Sequence, residues 1–323
     1  MKSKSGFDAR EFLGFLAMRR NFALMVLIFA VAYLYFVPPI SLLEQGLEAR
    51  VCETAKAVAA GSADGLEASQ AVVLWESLNL RNIFNTSAFC YRPDTAQHPL
   101  WSFISRCGAC DEYSTLFSRM MGCLGIESRM ARVPAENHNW AEVLVGGEWL
   151  VVDPVANLVG IDAGAYENEL GSNISYVVGR YNNGTEVDLT LRYTNTGRLV
   201  ISITDYDAAA SYGIFISAIH GADERPTNAK CEINSSGSCS VALGGNSYAV
   251  GAVKYGILPL FDERRVELKE GETAIVSLSP SDFDMAKALG LLPKRLVVVL
   301  LILLLSLLVW FAAVSAIFLL KNI

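Results

Sequence analysis

Apolar positions along this chain show three textures: unbroken runs near both ends, three-and-four spacing in the first half, and strict alternation in the second half. After the first run, "LLEQGLEARVCETAKAVAA" and "DGLEASQAVVLWESLN" repeat apolar residues at three and four, are rich in Ala, Leu and Glu, and read as two helices split by Gly61-Ser62. Residues 80–100 read as loop. The same spacing at Tyr113, Leu116, Phe117, Met120, Met121 and Leu124 predicts a helix over about 110–123, stopped by Gly125. A strand over about 126–133 and a tight hairpin over 138–153 follow. Residues 160–185, polar and rich in Asn and Gly, read as a linker. From Val187, "VDLTLRY", "RLVISITD", "GIFISAI", "AKCEIN", "CSVALG", "SYAVGAVK", "RRVELKEG" and "TAIVSLS" alternate between turn signals, the texture of a β-sandwich.

The terminal runs change the picture. Phe22–Leu43 and Leu296–Leu320 hold no charged residue, in a chain of 323 residues that is 52% hydrophobic. About 20 apolar residues suffice to cross the hydrocarbon core as a helix. Two transmembrane helices are therefore expected, at 22–43 and 296–320. "AVA" at Ala30–Ala32 makes a cleaved signal peptide the alternative for the first. Lys2, Lys4, Arg10, Arg19 and Arg20 place the N-terminus, and with it the C-terminus, in the cytoplasm. This predicts a two-pass cell-membrane protein with residues 44–293 outside. Of 26 basic and 33 acidic residues, eight and two lie at the membrane ends, which leaves 18 and 31 in that segment, a net of −13. No basic stripe is present, so nucleic acid is not an expected partner. Four N-x-[ST] sequons, at Asn85, Asn173, Asn183 and Asn234, fit an exported domain.

The chemistry gathers around "CGAC", where Cys107 and Cys110 read as a disulfide, half a metal site, a redox couple, or a nucleophile with a neighbour. Cys110 falls at the first turn of the predicted helix, where unpaired N–H groups and the helix dipole favour a thiolate. Cys123, in the last turn, is expected in the core and inert. Downstream stands "ENHNWAEVLVGGEWLVVDP". Gly146-Gly147 is a two-residue hairpin signal. With that turn, Val145 opposes Glu148, Trp140 opposes Asp153, and His138 lies diagonal to Asp153, a relation of about 7–8 Å between Cα atoms. An imidazole and a carboxylate can meet across that gap. Asp153 would fix the tautomer of His138, and His138 would exchange a proton with Cys110. Oxyanion donors are sought in the Cys110 N–H and in Trp101 or Gln97, with Trp140 as support. Cys231 and Cys239 flank "NSSGS" and are a candidate disulfide.

"RCGACDEYSTLF…LGIESRMARV…HNWAEVLVGGEWLVVDP" resembles the transglutaminase-like superfamily, and within it the core of peptide:N-glycanases. The resemblance covers residues 106–157. It implies an α+β, papain-like fold with Cys110 as nucleophile, His138 as base and Asp153 as orienter, while Cys107 matches a non-nucleophilic position. The further C-x-x-C pairs of those glycanases are missing, so no zinc, metal or other cofactor is expected. The close "GNSYAVGAVKYGILPLFDERRVELKEGETAIVSLSPS" resembles carboxypeptidase regulatory-like, transthyretin-like domains, which implies a spacer or binding module. The expected organisation is a cytoplasmic N-terminus (1–21), a span (22–43), a catalytic domain (44–160), a linker (161–185), an all-β sandwich (186–280), a juxtamembrane segment (281–295) and a span (296–320). The expected function is a membrane-anchored thiol enzyme that cleaves or transfers amide bonds of exported peptides or proteins. The alternatives are a surface adhesion or scaffold protein with a vestigial site, and a C-x-x-C redox protein.

Overall fold

The structure is a computed structural model that describes Leu24 and residues 44–83, 99–170, 173–256 and 258–291. Both domains below belong to one compact unit, Ile40–Asp284. Among the described residues no helix is long and apolar enough to cross a membrane. The runs 22–43 and 296–320, Leu24 apart, lie outside the described residues.

The first domain opens with helices α1 (Glu44–Val58) and α2 (Gly65–Asn79). α1 buries Leu47, Val51 and Ala55, one residue per turn. α2 starts where Asp64 accepts the N–H groups of Leu66 and Glu67, both at 2.9 Å, while Glu67 reaches back to the Ala63 N–H at 2.8 Å. These oxygens satisfy donors that have no partner within the helix. A two-strand pair, β1 (Arg81–Asn82) and β2 (Cys107–Gly108), flanks the short α3 (Pro99–Ser105) and leads into α4 (Cys110–Cys123). α4 buries Tyr113, Leu116, Phe117, Met120 and Met121 against α1 to α3. Cys123 is not the inert core thiol expected. It is bonded to Cys52, with Cα atoms 5.0 Å apart. An Arg119–Glu48 ion pair joins the same two helices.

Six antiparallel strands form the sheet under α4. They are β3 (Ser128–Val133), β4 (His138–Val145), β5 (Glu148–Asp153), β6 (Leu158–Ile161), β7 (Val178–Tyr181) and β8 (Glu186–Asp188), in the order β6-β5-β4-β3-β7-β8. Gly146 and Gly147 have φ of +61° and +89°, the left-handed values of a two-residue turn. The register is the one that turn predicts, Val145 opposite Glu148 and Glu142 opposite Val151. Ala141, Val143 and Val152 join the helical core, whereas Trp140 and Val151 join a second cluster with Tyr166 and Tyr193. Those tyrosines come from α5 (Ala163–Leu170) and α6 (Thr190–Tyr193).

Residues 161–185 therefore depart from the expected linker. Asp162 accepts the Gly164 N–H at 2.8 Å and starts α5, and the Asn-Gly stretch at 182–184 is the turn between β7 and β8. The expected first sandwich strand, "VDLTLRY", departs too. The Asp188 carboxylate takes the Thr190 N–H at 2.9 Å and its hydroxyl at 2.7 Å, which breaks the strand and starts α6. The first domain thus reaches Tyr193.

The second domain has two sheets around one apolar cluster. One holds β11 (Asp223–Pro226), β10 (Ser211–His220), β13 (Asn246–Tyr255), β14 (Leu260–Leu268) and β16 (Asp282–Phe283), in that order. The other is β12 (Ser238–Gly244), β9 (Thr196–Ile203) and β15 (Thr273–Leu278), with β9 and β15 parallel. Alternate residues, such as Leu199, Ile201 and Ile203 or Tyr248, Val250 and Ala252, fill the core. "AKCEIN" is not a strand. Its Cys231 is bonded to Cys239, with Cα atoms 5.6 Å apart, and Asn234 accepts the N–H groups of Ser236 and Ser238 at 2.9 and 3.1 Å. A short helix, α7 (Met285–Gly290), follows β16 in the chain.

Candidate active site

Cys110 is the first residue of α4 and the free thiol among the described cysteines. The turn that presents it is fixed by Glu112, whose carboxylate accepts the Ala109 N–H at 2.8 Å. A Cβ on Gly108 would stand 2.7 Å from that of Glu112, so the glycine of C-G-x-C is a requirement of close approach. At the first helical position the Cys110 N–H has no acceptor within the helix, which leaves it to receive negative charge.

His138 starts β4. Its Nε2 lies 2.8 Å from Asp153 Oδ2, at the end of β5. Cys110 also acts on this ring, favouring its protonated form. Asp153 is 2% exposed and fully engaged. Its Oδ1 accepts the N–H groups of Val155 and Ala156 at 3.0 and 3.2 Å, and its Oδ2 accepts the Tyr166 hydroxyl at 2.7 Å. Burial disfavours the imidazolium, but the hydrogen bonds and negative charges of Asp153 and Cys110 outweigh it and push His138 up to about 9. Burial would raise Asp153, but its bonds to His138, Tyr166 and Ala156 and the charge of His138 hold it below the ordinary carboxylate value. A proton thus rests on His138 beside the carboxylate of Asp153. A cleft of about 510 Å³ opens beside it, lined in part by Asn137, Ala156, Leu158 and Leu170.

Three supporting side chains were not foreseen. Tyr166 binds Asp153, sits 3.1 Å from His138 Nε2, and packs on Trp140 with ring centroids 4.9 Å apart. It was hidden in the polar stretch read as a linker, where the helix-starting Asp162 was the available signal. Tyr193 accepts the Trp140 indole N–H at 2.7 Å. Trp140 therefore supports the histidine, its ring 5.9 Å from that of His138, and donates to tyrosine rather than to an oxyanion. Asn139 directs its amide Nδ2 at Cys110 Sγ, 3.8 Å away. It lies on the row with Ala141 and Val143, so a polar residue in a helix-facing apolar row was its signal. Trp101, in α3, packs against the helical core, and Gln97 lies outside the described residues.

Glu142 is a second buried acid, two turns of the pleat from His138. It is 0% exposed and bonded to Arg129 at 2.6 Å and to Arg192 at 3.1 Å. Arg129 sits opposite it in β3 and under the Trp149 ring, 4.0 Å from its centroid. This ladder holds the register that carries His138.

The redox reading of the C-x-x-C fails on its sulfurs. Cys107 is disulfide-bonded while Cys110 remains a thiol, so the two are not paired with each other. Among the described residues one trio of metal-type ligands converges, Glu48, Cys52 and Cys123, and its two sulfurs are bonded to each other.

Residues 52–154 match the family model described as the transglutaminase-like superfamily. This part of the chain is a transglutaminase-like domain. Solved structures resemble the chain more distantly. A TGase is 16% identical over 36% of this chain and 33% of its own, with a TM-score of 0.28. Red sea bream transglutaminase is 12% identical over 70% and 58%, with a TM-score of 0.30. Rad4–Rad23 bound to a 6-4 photoproduct UV lesion is 15% identical over 60% and 51%, with a TM-score of 0.33. The chain thus spans between a third and three fifths of the length of these structures. The transglutaminase-like domain contains Cys110, His138 and Asp153, whereas Tyr166 and Tyr193 lie beyond the matched residues.

Proposed function

We propose that this protein is a membrane-anchored thiol enzyme that cleaves or transfers amide bonds of exported peptides or proteins through Cys110, His138 and Asp153. The carrying observation is the 2.8 Å contact of His138 with a buried Asp153, beside a free thiol at a helix start whose Sγ lies 3.8 Å from the amide of Asn139, the residue after the histidine. In the first half-reaction Cys110 Sγ attacks the amide carbonyl carbon. The carbonyl oxygen gains negative charge near the Cys110 N–H and the Asn139 amide. His138 then gives its proton to the departing amine as the C–N bond breaks, leaving a thioester. In the second half-reaction water or another amine attacks the thioester, His138 takes its proton, and the thiolate leaves. Asp153 and Tyr166 keep the ring in place throughout.

The uncharged runs 22–43 and 296–320 support the anchor, and the net charge of −13 between them supports a module held away from anionic lipid. Two intact disulfides among the described residues support an oxidising compartment. The test is turnover of glutamine-containing peptides, with and without added amine, by the full chain in detergent. Cys110→Ala and His138→Ala are each expected to abolish product; Cys110→Ala should also remove iodoacetamide labelling at position 110, and His138→Ala should slow it. Unchanged turnover in Cys110→Ala would overturn the reading, and formation of the free carboxylate against incorporation of the added amine separates hydrolysis from transfer.

A further inference from the structure

The loop that delivers His138 is built into the other domain. Pro134–Asn137 joins β3 to β4, with Val133 and His138 as its closing pair. Asn137, directly before the histidine, has a φ of +56° and donates its N–H to Pro134 O at 3.3 Å. Ala135 is fully buried, in the core cluster of the two-sheet domain rather than in that of its own sheet. Its carbonyl accepts from Arg225 of β11 at 3.4 Å. The Glu136 side chain is 5% exposed. One carboxylate oxygen accepts the Ser175 N–H at 3.0 Å and lies 3.8 Å from His220 of β10, and the other accepts the Ser175 hydroxyl at 3.1 Å. Ser175 is pinned in turn, because its carbonyl accepts the Gly244 N–H at 2.9 Å and the Tyr248 hydroxyl at 3.4 Å, both from the two-sheet domain.

We propose that the two-sheet domain is a working part of the active site, with Glu136 as the positioning residue that seats His138 between Cys110 and Asp153. This rests on the triad reading above. Two consecutive loop residues, Ala135 and Glu136, are fixed by partners outside the six-stranded sheet, and Asn137, closed onto Pro134, leads directly into the base. A displacement of about 1 Å at a reacting group costs on the order of 10²-fold in rate. Glutamine at 136 keeps both Ser175 bonds, because its carbonyl accepts the N–H and its amide donates to the hydroxyl, which reverses its role. Alanine keeps neither.

The experiment compares the full chain with Glu136→Ala, Glu136→Gln and Arg225→Ala. Each is read by kcat, KM and the NMR titration of histidine Cε1 in selectively labelled protein. The chain has three histidines, so the His138 signal is assigned by a single substitution. Glu136→Ala is expected to lower kcat about 10–100-fold with KM within threefold, and to move the His138 midpoint downward. Glu136→Gln should restore both to within threefold and to the wild-type midpoint. Arg225→Ala, at a half-exposed side chain, should give a smaller loss of the same kind and serves if Glu136→Ala does not fold. A lower melting temperature with kcat and the His138 midpoint unmoved would overturn the proposal. If the wild type shows no turnover, the enzyme reading fails, and the His138 midpoint alone decides whether the loop is seated from the second domain.

Discussion

The six-stranded sheet and the two-sheet domain are made of similar alternating strands, yet they bury different things. The domain of the six-stranded sheet buries Glu142 with its two arginines, Asp153 with His138 and Tyr166, and, on α2, the unpartnered Glu76. The centre of the two-sheet domain is filled by Leu, Ile and Val with the uncharged Tyr248, and ion pairs such as Arg265–Glu224 stay at its surface. Buried charge is costly unless paired, so a domain carries it where geometry must be fixed to one answer. The apolar domain offers a frame, and the charged one holds the candidate site.

The largest effect is expected at Asp153. Asp153→Asn removes the partner that holds the imidazolium and should cost about 10²–10⁴-fold in kcat/KM. The pH dependence sharpens this. Because His138 sits at about 9, above its ordinary 6.5, its contribution to stability is complete below about pH 6.5 and is lost as pH rises through about 9. Turnover should show an alkaline limb near pH 9 in the wild type, displaced to lower pH in Asp153→Asn. Next comes Glu142→Ala, which strands Arg129 in the interior and should destabilise by about 3–5 kcal/mol in chemical denaturation.

Glu76 breaks the pattern, since both its buried carboxylate oxygens lack a hydrogen-bond partner and burial raises it well above the ordinary value. The folded state keeps its proton while the unfolded chain releases it, so stability is lost as pH rises above about 4.5. Glu76→Leu should therefore stabilise by about 1–3 kcal/mol at pH 7 and by less at pH 4, measured by melting at both. The smallest effect belongs to the second domain. A double-mutant cycle on Arg265 and Glu224 should return a coupling of about 0.2–1 kcal/mol that salt removes.

Legibility in the sequence follows the same divide. The Gly146-Gly147 turn, a purely local signal, set the register and so brought His138 to Asp153. Most strands of the two-sheet domain from Arg198 onward, "AKCEIN" excepted, were legible because one buried face imposes a period of two. Tyr166 was not, because its role depends on a helix folding back over the sheet, which no local pattern encodes. "VDLTLRY" misled because its alternation is that of a strand, while the Asp188 carboxylate, not the apolar period, decided the local structure. Glu136 lies in a turn-like stretch, and its importance comes from Ser175 and His220, residues 39 and 84 positions away.

Among the described cysteines, Cys52, Cys107, Cys123, Cys231 and Cys239 are bonded while Cys110 is a thiol, so the proposed enzyme needs a nucleophile that stays out of the pairing its neighbours complete. Only two residues separate Cys110 from Cys107. A wrong pairing there would give a well-folded molecule with no nucleophile. The yield of competent protein is then decided by the sequence in which sulfurs find one another during biosynthesis, independently of how firmly the finished molecule holds together.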